Sequence, residues 1–565
     1  MHVRRLSLWT LAISSLISIS SLICGIAVFL GQPCRAESQA PASATTATET
    51  NAAAATSPTQ AMSPAELKQQ RKEAAHRKRR IIMNNDGNDA RTPPEEPRTV
   101  ENFLSKRTTA LAGTEVDSIF YCTGVFNLYH HHSTESEPRK HGDQRVVDWA
   151  WELGEKGPDS LTTMVDFGHK HKMEVFWSMR MNDTHDSADD ALLCQWKREH
   201  PEYLLGKKEN KSQLVSGGKR WSAVNYEIPE CREKVFNILR DVATRYDVDG
   251  LELDFFRHPI YFKEQALGQP VTQEQRDLMT ELVRRIRTMA DEVAAKRGRP
   301  MLIAVRVPDS VEYSSEIGLD LVKWMQEDLI DLMSVSCYFQ LNPWKTSVDL
   351  GHKYDVPVYP SLSEPRFRKS PESEKIRKTT ECYRGRAIDA WNAGADGIYM
   401  FNYFNPKSQV WRDLGNPESL LTQDQIYPAG TTATNDCKAW LAGGLKWLKQ
   451  PVPLPEKPEI LAPGKQIAFS IPVAAAVAKK PNLKAKVTLR VLTDNIGRGL
   501  LIGGSINKTP LPSGIVGEAW IDYAVDPSTI RQGVNHIELT MPKNGDKVTV
   551  SDAAIEIRYT PIASK

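Results

Sequence analysis

The segment Tyr246-Asp-Val-Asp-Gly-Leu-Glu-Leu-Asp-Phe-Phe-Arg-His-Pro259 places two carboxylates, Glu252 and Asp254, two residues apart in an apolar run. Successive side chains of a β-strand point to opposite faces, so Glu252 and Asp254 share one face and Leu251 and Leu253 the other. Two acids on one inward face suit proton transfer, nucleophilic attack or water activation. Asp254, nearer the strand end, is the candidate for chemistry. Glu252 lies a layer deeper and is expected to pair with Arg180 or Arg306, because an unpaired buried carboxylate is costly.

Such a strand needs a scaffold that aims its end at a ligand. From Arg79 to Phe404 short apolar strands alternate with amphipathic helical stretches, the pattern of repeated βα units. The strands are read at 80–84, 118–123, 174–179, 250–255, 302–307, 332–338, 358–362 and 397–402. Helices are expected at 144–153, 161–171, 231–246, 273–296, 319–327 and 373–393, with a last one at 436–449. Eight strands without a glycine-rich phosphate loop after the first predict a closed (β/α)8 TIM barrel of the α/β class, whose working face is the C-terminal end of the strands. The residues delivered there are Asn84 to Asp89 with Asp86, then Arg180, Asn182 and Asp183, Asp254 with Arg257 and His258, Asp309, Glu364, and Asn402 with Tyr403.

The flanks read differently. Arg4 and Arg5 precede an uncharged stretch from Leu6 to Leu30, an export signal ending near Ala36 or an uncleaved anchor. Residues 37–78 hold an Ala/Thr/Ser/Pro tether and a basic helix candidate, Ala65 to Arg80, expected to be solvated or to touch the cell envelope. The barrel domain is assigned to 79–450, a proline-rich linker to 451–457, and a β-sandwich accessory domain to 458–565, with strands at 486–491, 518–523, 536–541 and 554–559. A net charge of +2 in 565 residues gives no global field for nucleic acid, and membrane contact is expected only through the N-terminal segment. Six cysteines beyond the signal permit disulfides in an oxidising compartment, while Cys122 and Cys337 sit in strand patterns as buried thiols.

Asp249-Gly-Leu-Glu-Leu-Asp254, Arg180-Met-Asn-Asp183, His200-Pro-Glu-Tyr203 and Asn84-Asn-Asp-Gly-Asn-Asp89 together resemble the exported family-10-like glycosyl hydrolases over about Arg79 to Phe404. The family-18 chitinase pattern has a carboxylate two residues beyond the last Asp, where this chain has Phe256. The resemblance implies hydrolysis of O-glycosidic bonds in a polysaccharide or oligosaccharide, which uses two carboxyl groups across the bond. It implies Asp254 as one, and, because the large barrel hydrolase superfamily carries its acids on strands 4 and 7, Glu364 as the other. That superfamily has Asn-Glu on strand 4, whereas this chain has Leu253-Asp254. Asp183 and Asp309 are the alternatives for the second acid.

Asn402, Tyr403, Arg180 and Asn182 are expected to position the sugar, with Asp86, Asp89 and Glu252 as further contacts. Among the aromatics near the strand ends (Trp177, Tyr338, Phe339, Trp344, Tyr399, Tyr403), Tyr338 is placed with the substrate contacts. Arg180, Arg257, His258, Arg306, Arg366 and Arg368 suggest an anionic saccharide, since guanidinium groups bind carboxylate or sulfate. No cofactor or metal is expected: the run His130-His-His132 cannot aim three rings at one ion, and the Asp86 to Asp89 turn lacks a downstream bidentate glutamate. A non-catalytic carbohydrate-binding barrel and a transglycosylase are the alternatives.

Overall fold

The apolar stretches pair side by side, all parallel, into one closed barrel. Its strands are β1 Ile81–Asn85, β2 Val116–Tyr121, β3 Glu174–Arg180, β4 Gly250–Asp254, β5 Leu302–Val307, β6 Leu332–Val335, β7 Val358–Ser363 and β8 Ile398–Phe401. Each pairs with the next in sequence, and β8 closes on β1 with Ile82 opposite Tyr399. A computed structural model of the chain describes residues 63–92, 96–139, 147–148, 157–363, 370–431, 434–450, 454–477 and 482–562. The expected export segment and tether and Glu364, Arg366 and Arg368 lie outside the described residues, and of the helix expected at 144–153 only Val147–Asp148 is described, which pairs as a short antiparallel strand with Arg91–Thr92 instead. Among those described, no helix is long and apolar enough to cross a membrane.

Strand bounds agree with the periodicity except at β6, which stops at Val335 instead of reaching Tyr338. Ser336 takes φ 67°, a left-handed conformation that turns the chain away from its neighbours. The main helices are Ser160–Lys170, Pro229–Arg245, Gln273–Arg297 and Thr380–Asn392. The helix expected at 436–449 is instead two short 3-10 turns, Thr434–Ala439 and Gly444–Trp447, separated at the left-handed Gly443.

The basic N-terminal stretch is not a solvated helix. It is helical over Pro64–Ala75, with Ser63 accepting from the Glu66 N–H in a capping box, and while Lys68, Arg77 and Lys78 stay exposed, Arg71 and Arg79 turn inward. Arg71 donates to Asp331 at 2.7 Å. Arg79, fully buried, donates to both oxygens of Glu174 at 2.7 and 2.9 Å, and Ser118 Oγ donates to the same carboxylate at 2.7 Å. Glu174 opens β3, so this network seals the end of the barrel opposite the strand C-termini.

Above the seal, Phe120 stacks on Phe176 with ring centroids 4.4 Å apart, against Gly250, where any Cβ would lie 2.3 Å from the Phe176 ring. The next layer is polar. Glu252 accepts from Tyr399 Oη at 2.8 Å and from Ser178 Oγ. It has no solvent exposure, which corrects its expected place among the substrate contacts. Neither expected arginine pairs with it directly, because Arg306 is bound to Asp254 and Arg180 to Asp183. Burial pushes the Glu252 carboxyl up to about 7, against the pull of Arg306.

Two antiparallel sheets form the accessory domain. One runs Gln425–Pro428, Val548–Pro561, Leu483–Thr493, Ile521–Val525 and Ile515–Val516, with Glu459–Leu461 added on Val548–Pro561. The other runs Gln466–Val473, Gly533–Thr540, Gly503–Ile506 and Thr509–Pro510. Leu489, Val491 and Ile555 from the first and Ile471, Ile537 and Leu539 from the second are fully buried in the shared core. The strand Gln425–Pro428 enters this sheet from upstream of Pro451, so the accessory domain draws on chain from both sides of the proline run. Six cysteines, Cys122, Cys194, Cys231, Cys337, Cys382 and Cys437, are buried free thiols.

Two outcomes are expected. Arg79→Met strips Glu174 of its main buried counter-charge and should lower unfolding free energy by about 3–5 kcal/mol in denaturant titration; a loss below about 1 kcal/mol would show that the seal does not hold the barrel. Glu252 ionises near 4.5 when unfolded and near 7 when folded. Between those pH values the folded chain keeps a proton that the unfolded chain has lost, so stability falls as pH rises. Glu252→Gln should flatten that slope in pH-dependent melts, and an unchanged slope would assign it to other groups.

Candidate active site

At the end of β4 the chain turns at once. Asp254 Oδ1 accepts the backbone N–H groups of Phe256 at 3.0 Å and Arg257 at 2.9 Å, an Asx-type turn. Arg306, opposite it on β5, donates Nε to Oδ1 at 3.0 Å and Nη2 to Oδ2. Asp254 is 1% exposed and Arg306 fully buried. The expectation of a free carboxylate at the open end is therefore corrected, because its oxygens are held by a guanidinium and two amides at the floor of the mouth. The expectation that Arg306 touches substrate is corrected for the same reason.

Three strand ends carry non-glycine residues in the left-handed region: His258 after β4 (φ 62°), Ser336 after β6 (φ 67°) and Asn402 after β8 (φ 55°). Such conformations cost about 1–3 kcal/mol each and cluster where a site is held in shape. They bend the loops so that side chains from several strands converge.

The loops after β3 and β4 build one connected cluster. Asp183 accepts from Arg180 Nη1 at 2.9 Å and is bonded to His185 Nδ1 at 2.7 Å. The other nitrogen of His185 lies 3.0 Å from Arg257 Nη2, and Arg257 Nη1 donates to Tyr338 Oη. The His185 and His258 rings are 4.9 Å apart, and His258 stacks on Trp440 at 5.6 Å. Arg220 lies over the Trp440 ring at 4.8 Å and donates to Thr184 Oγ1 at 3.1 Å. His185, with its side chain 35% exposed, is the open group among these.

Charge states follow from the packing. Burial alone would raise the Asp183 carboxyl, but His185 and Arg180 hold it well below the usual range. Asp183 pulls His185 upward, yet burial together with Arg257 and Arg180 leaves that imidazole below its ordinary value. Burial, reinforced by Arg220, holds His258 well below its ordinary value, so both rings are neutral near pH 7.

The rest of the expected site separates into mouth and brace. Asp86 sits at the rim, paired with Arg107 at 2.5 Å; burial opposes ionisation, but Arg107 and Arg180 keep the carboxyl below its usual value. Asn402 is half-buried with an unpartnered Oδ1, and Tyr403 Oη meets Ser408 at 2.7 Å. Asn182 is a brace: its amide donates to the carbonyls of Val224 and Ile260 and accepts the Val224 N–H. Asp309 accepts the N–H groups of Leu341 and Asn342, fixing the loop after β6, and burial pushes it up to about 7. Asp89 is buried against Asn85 and Tyr121 beneath the rim. These placements correct the expectation that Asn182, Asp309 and Asp89 meet the sugar directly.

His185, Arg220 and Trp440 were not anticipated. His185 stands two residues past Asp183 in the turn already singled out, whereas Arg220 and Trp440 come from loops whose local sequence carries no pattern. Asp183, His185 and His258 bring potential metal-ligand atoms within 4.8 Å of one another. His258 Nδ1, however, accepts the Thr184 N–H at 2.9 Å, and Arg180, Arg220 and Arg257 surround the trio, which opposes a dication. The His130 and His131 rings turn to separate hydroxyls, Ser160 and Thr123.

No curated protein matches the chain. Among solved structures it is similar to an α-L-fucosidase isoenzyme 2 from Paenibacillus thiaminolyticus (12% identity, 61% of this chain and 49% of that one, TM-score 0.38). A family-18 N-acetylglucosaminidase from Paenibacillus barengoltzii gives 12% identity, 60% and 98% coverage and TM-score 0.32. A family-36 α-galactosidase from Geobacillus stearothermophilus gives 12%, 86% and 56% coverage and 0.34. The chain thus spans about half the length of the fucosidase and the galactosidase. Residues 138–352, which carry β3 to β6 and the cluster around Asp183 and Asp254, match the family model described as Glycosyl hydrolase-like 10, the family the strand-4 motif resembles.

Proposed function

We propose that this is an exported glycoside hydrolase that cleaves O-glycosidic bonds of a polysaccharide or oligosaccharide at the C-terminal mouth of its barrel. The observation that supports this reading is convergence. Strained ends of β4, β6 and β8 gather acids, guanidinium groups, histidines and aromatic rings at the face where such barrels do chemistry, and the ends of β4 and β6 lie within the stretch that matches a glycosyl hydrolase-like family. In this proposal Asp254, held in place by Arg306 and two backbone amides, is one member of the carboxyl pair. Glu364 is the other member, and Tyr338, Asn402, Tyr403 and His185 orient the sugar.

The enclosure of Asp254 favours one rival, a barrel that binds glycan without cleaving it. The mature protein should release reducing ends from at least one glycan of a varied panel, and Asp254→Asn and Glu364→Gln should each cut that release about a hundredfold or more. Undiminished release by Asp254→Asn removes it from the chemistry. Glycan binding without release from any substrate establishes the rival.

A further inference from the structure

The arginines of this chain that lie deepest meet carboxylates: Arg79 with Glu174, Arg306 with Asp254 and Arg377 with Asp552. Two in the barrel mouth do not. Arg257 is 9% exposed and contacts the Tyr338 hydroxyl and the His185 ring, and its Nε, fully enclosed, has no partner. Arg220 contacts the Thr184 hydroxyl and the face of Trp440. Neither forms a salt bridge among the described residues. Asp183, the acid whose charge acts most on Arg220, is already bonded to Arg180 and His185. With His185 and His258 neutral, the cluster carries two uncompensated positive charges on a partly buried surface.

A buried charge without a partner destabilises a fold, so a pair of them on the working face indicates a partner that arrives with the ligand. Burial already depresses Arg220 to about 10, and the nearby Arg257 adds to that depression. An arriving anion would relieve both. Arg180 and Arg306, also expected to attract anions, are matched by Asp183 and Asp254 and have no charge left to offer.

We propose that Arg220 and Arg257 form a subsite for an acidic substituent of the saccharide, a carboxylate or a sulfate ester, held by charge-assisted hydrogen bonds from both guanidinium groups. This rests on the mouth being a saccharide site, but not on cleavage there. The subsite selects ligands, and Arg220 acts in it without touching the Asp254 pair.

The test is calorimetric titration of the full mature protein with three tetrasaccharides, one uronate-bearing, one O-sulfated and one neutral, repeated with Arg220→Gln and Arg220→Lys. The intact protein should bind at least one acidic probe about tenfold or more tighter than the neutral one. Preference for the uronate alone identifies a planar carboxylate as the group held, and preference for the sulfate alone identifies the ester. Arg220→Gln should abolish the preference, and Arg220→Lys should keep part of it. Because Arg220 has no counter-charge to lose, Arg220→Gln should melt at the same temperature or higher, which separates lost selectivity from lost folding. Equal affinity for acidic and neutral probes, or an undiminished preference in Arg220→Gln, overturns the subsite. Reducing-end release from a neutral glycan with no acid preference would leave the hydrolase reading standing without it. Acid-selective binding with no release would do the reverse.

Discussion

The salt bridge between Asp254 and Arg306 governs how this barrel can exist and what it can do. Barrel interiors are ordinarily filled by bulky aliphatic side chains, yet here β4 and β5 place a carboxylate and a guanidinium directly across from each other in the sealed interior. Each ion alone would face a desolvation penalty of several kcal/mol. Together, with two amides on Oδ1 and the Phe401 ring 4.1 Å from the guanidinium, they form a neutral unit that packs. Arg306 also fixes both oxygens of Asp254, so the acid the strand-4 motif singles out is held in one orientation.

From that floor the polarity is graded. Below it, Glu252 is held by two hydroxyl groups and pushed toward neutrality. At the base, Glu174 is matched by Arg79 and shut in by the N-terminal helix. Above it, Arg220 and Arg257 in the loops after β3 and β4 form no salt bridge among the described residues. The mouth therefore holds two guanidinium groups that contact hydroxyl, imidazole and aromatic groups in place of carboxylates, and that end is the one suited to a ligand.

Much of this was legible from periodicity. The barrel strands and their common polarity follow from short apolar runs, and the alternation in Gly250–Asp254 placed Glu252 and Asp254 on the inner face. What strand alternation cannot give is the partner of each charge. Arg306 bonds Asp254 rather than Glu252 because its side chain reaches the residue in register with it, a fact of strand pairing. Nor does a strand-end position separate a ligand contact from a brace: Asn182 and Asp309 occupy such positions and bond backbone amides of neighbouring loops. Arg220 and Trp440 were invisible because loops distant in sequence bring them in. The basic helix misled because its cations looked solvated, whereas Arg71 and Arg79 find carboxylates only the folded barrel supplies.

The same contrast explains why an imperfectly balanced mouth is tolerable. Left-handed residues at three strand ends and two guanidinium groups without counter-charges all raise the energy of the folded state on one face. They persist because the strands beneath them are fixed by a continuous parallel ladder and by ion pairs that lose their partners only if the barrel opens. The rigid floor also keeps Arg257 from relaxing toward Asp254, whose side-chain oxygens are bound by Arg306 and by the turn that carries Arg257 itself. In the proposed subsite the guanidinium groups of Arg220 and Arg257 are neutralised by the ligand, so their cost to the fold falls on the face where the ligand binds.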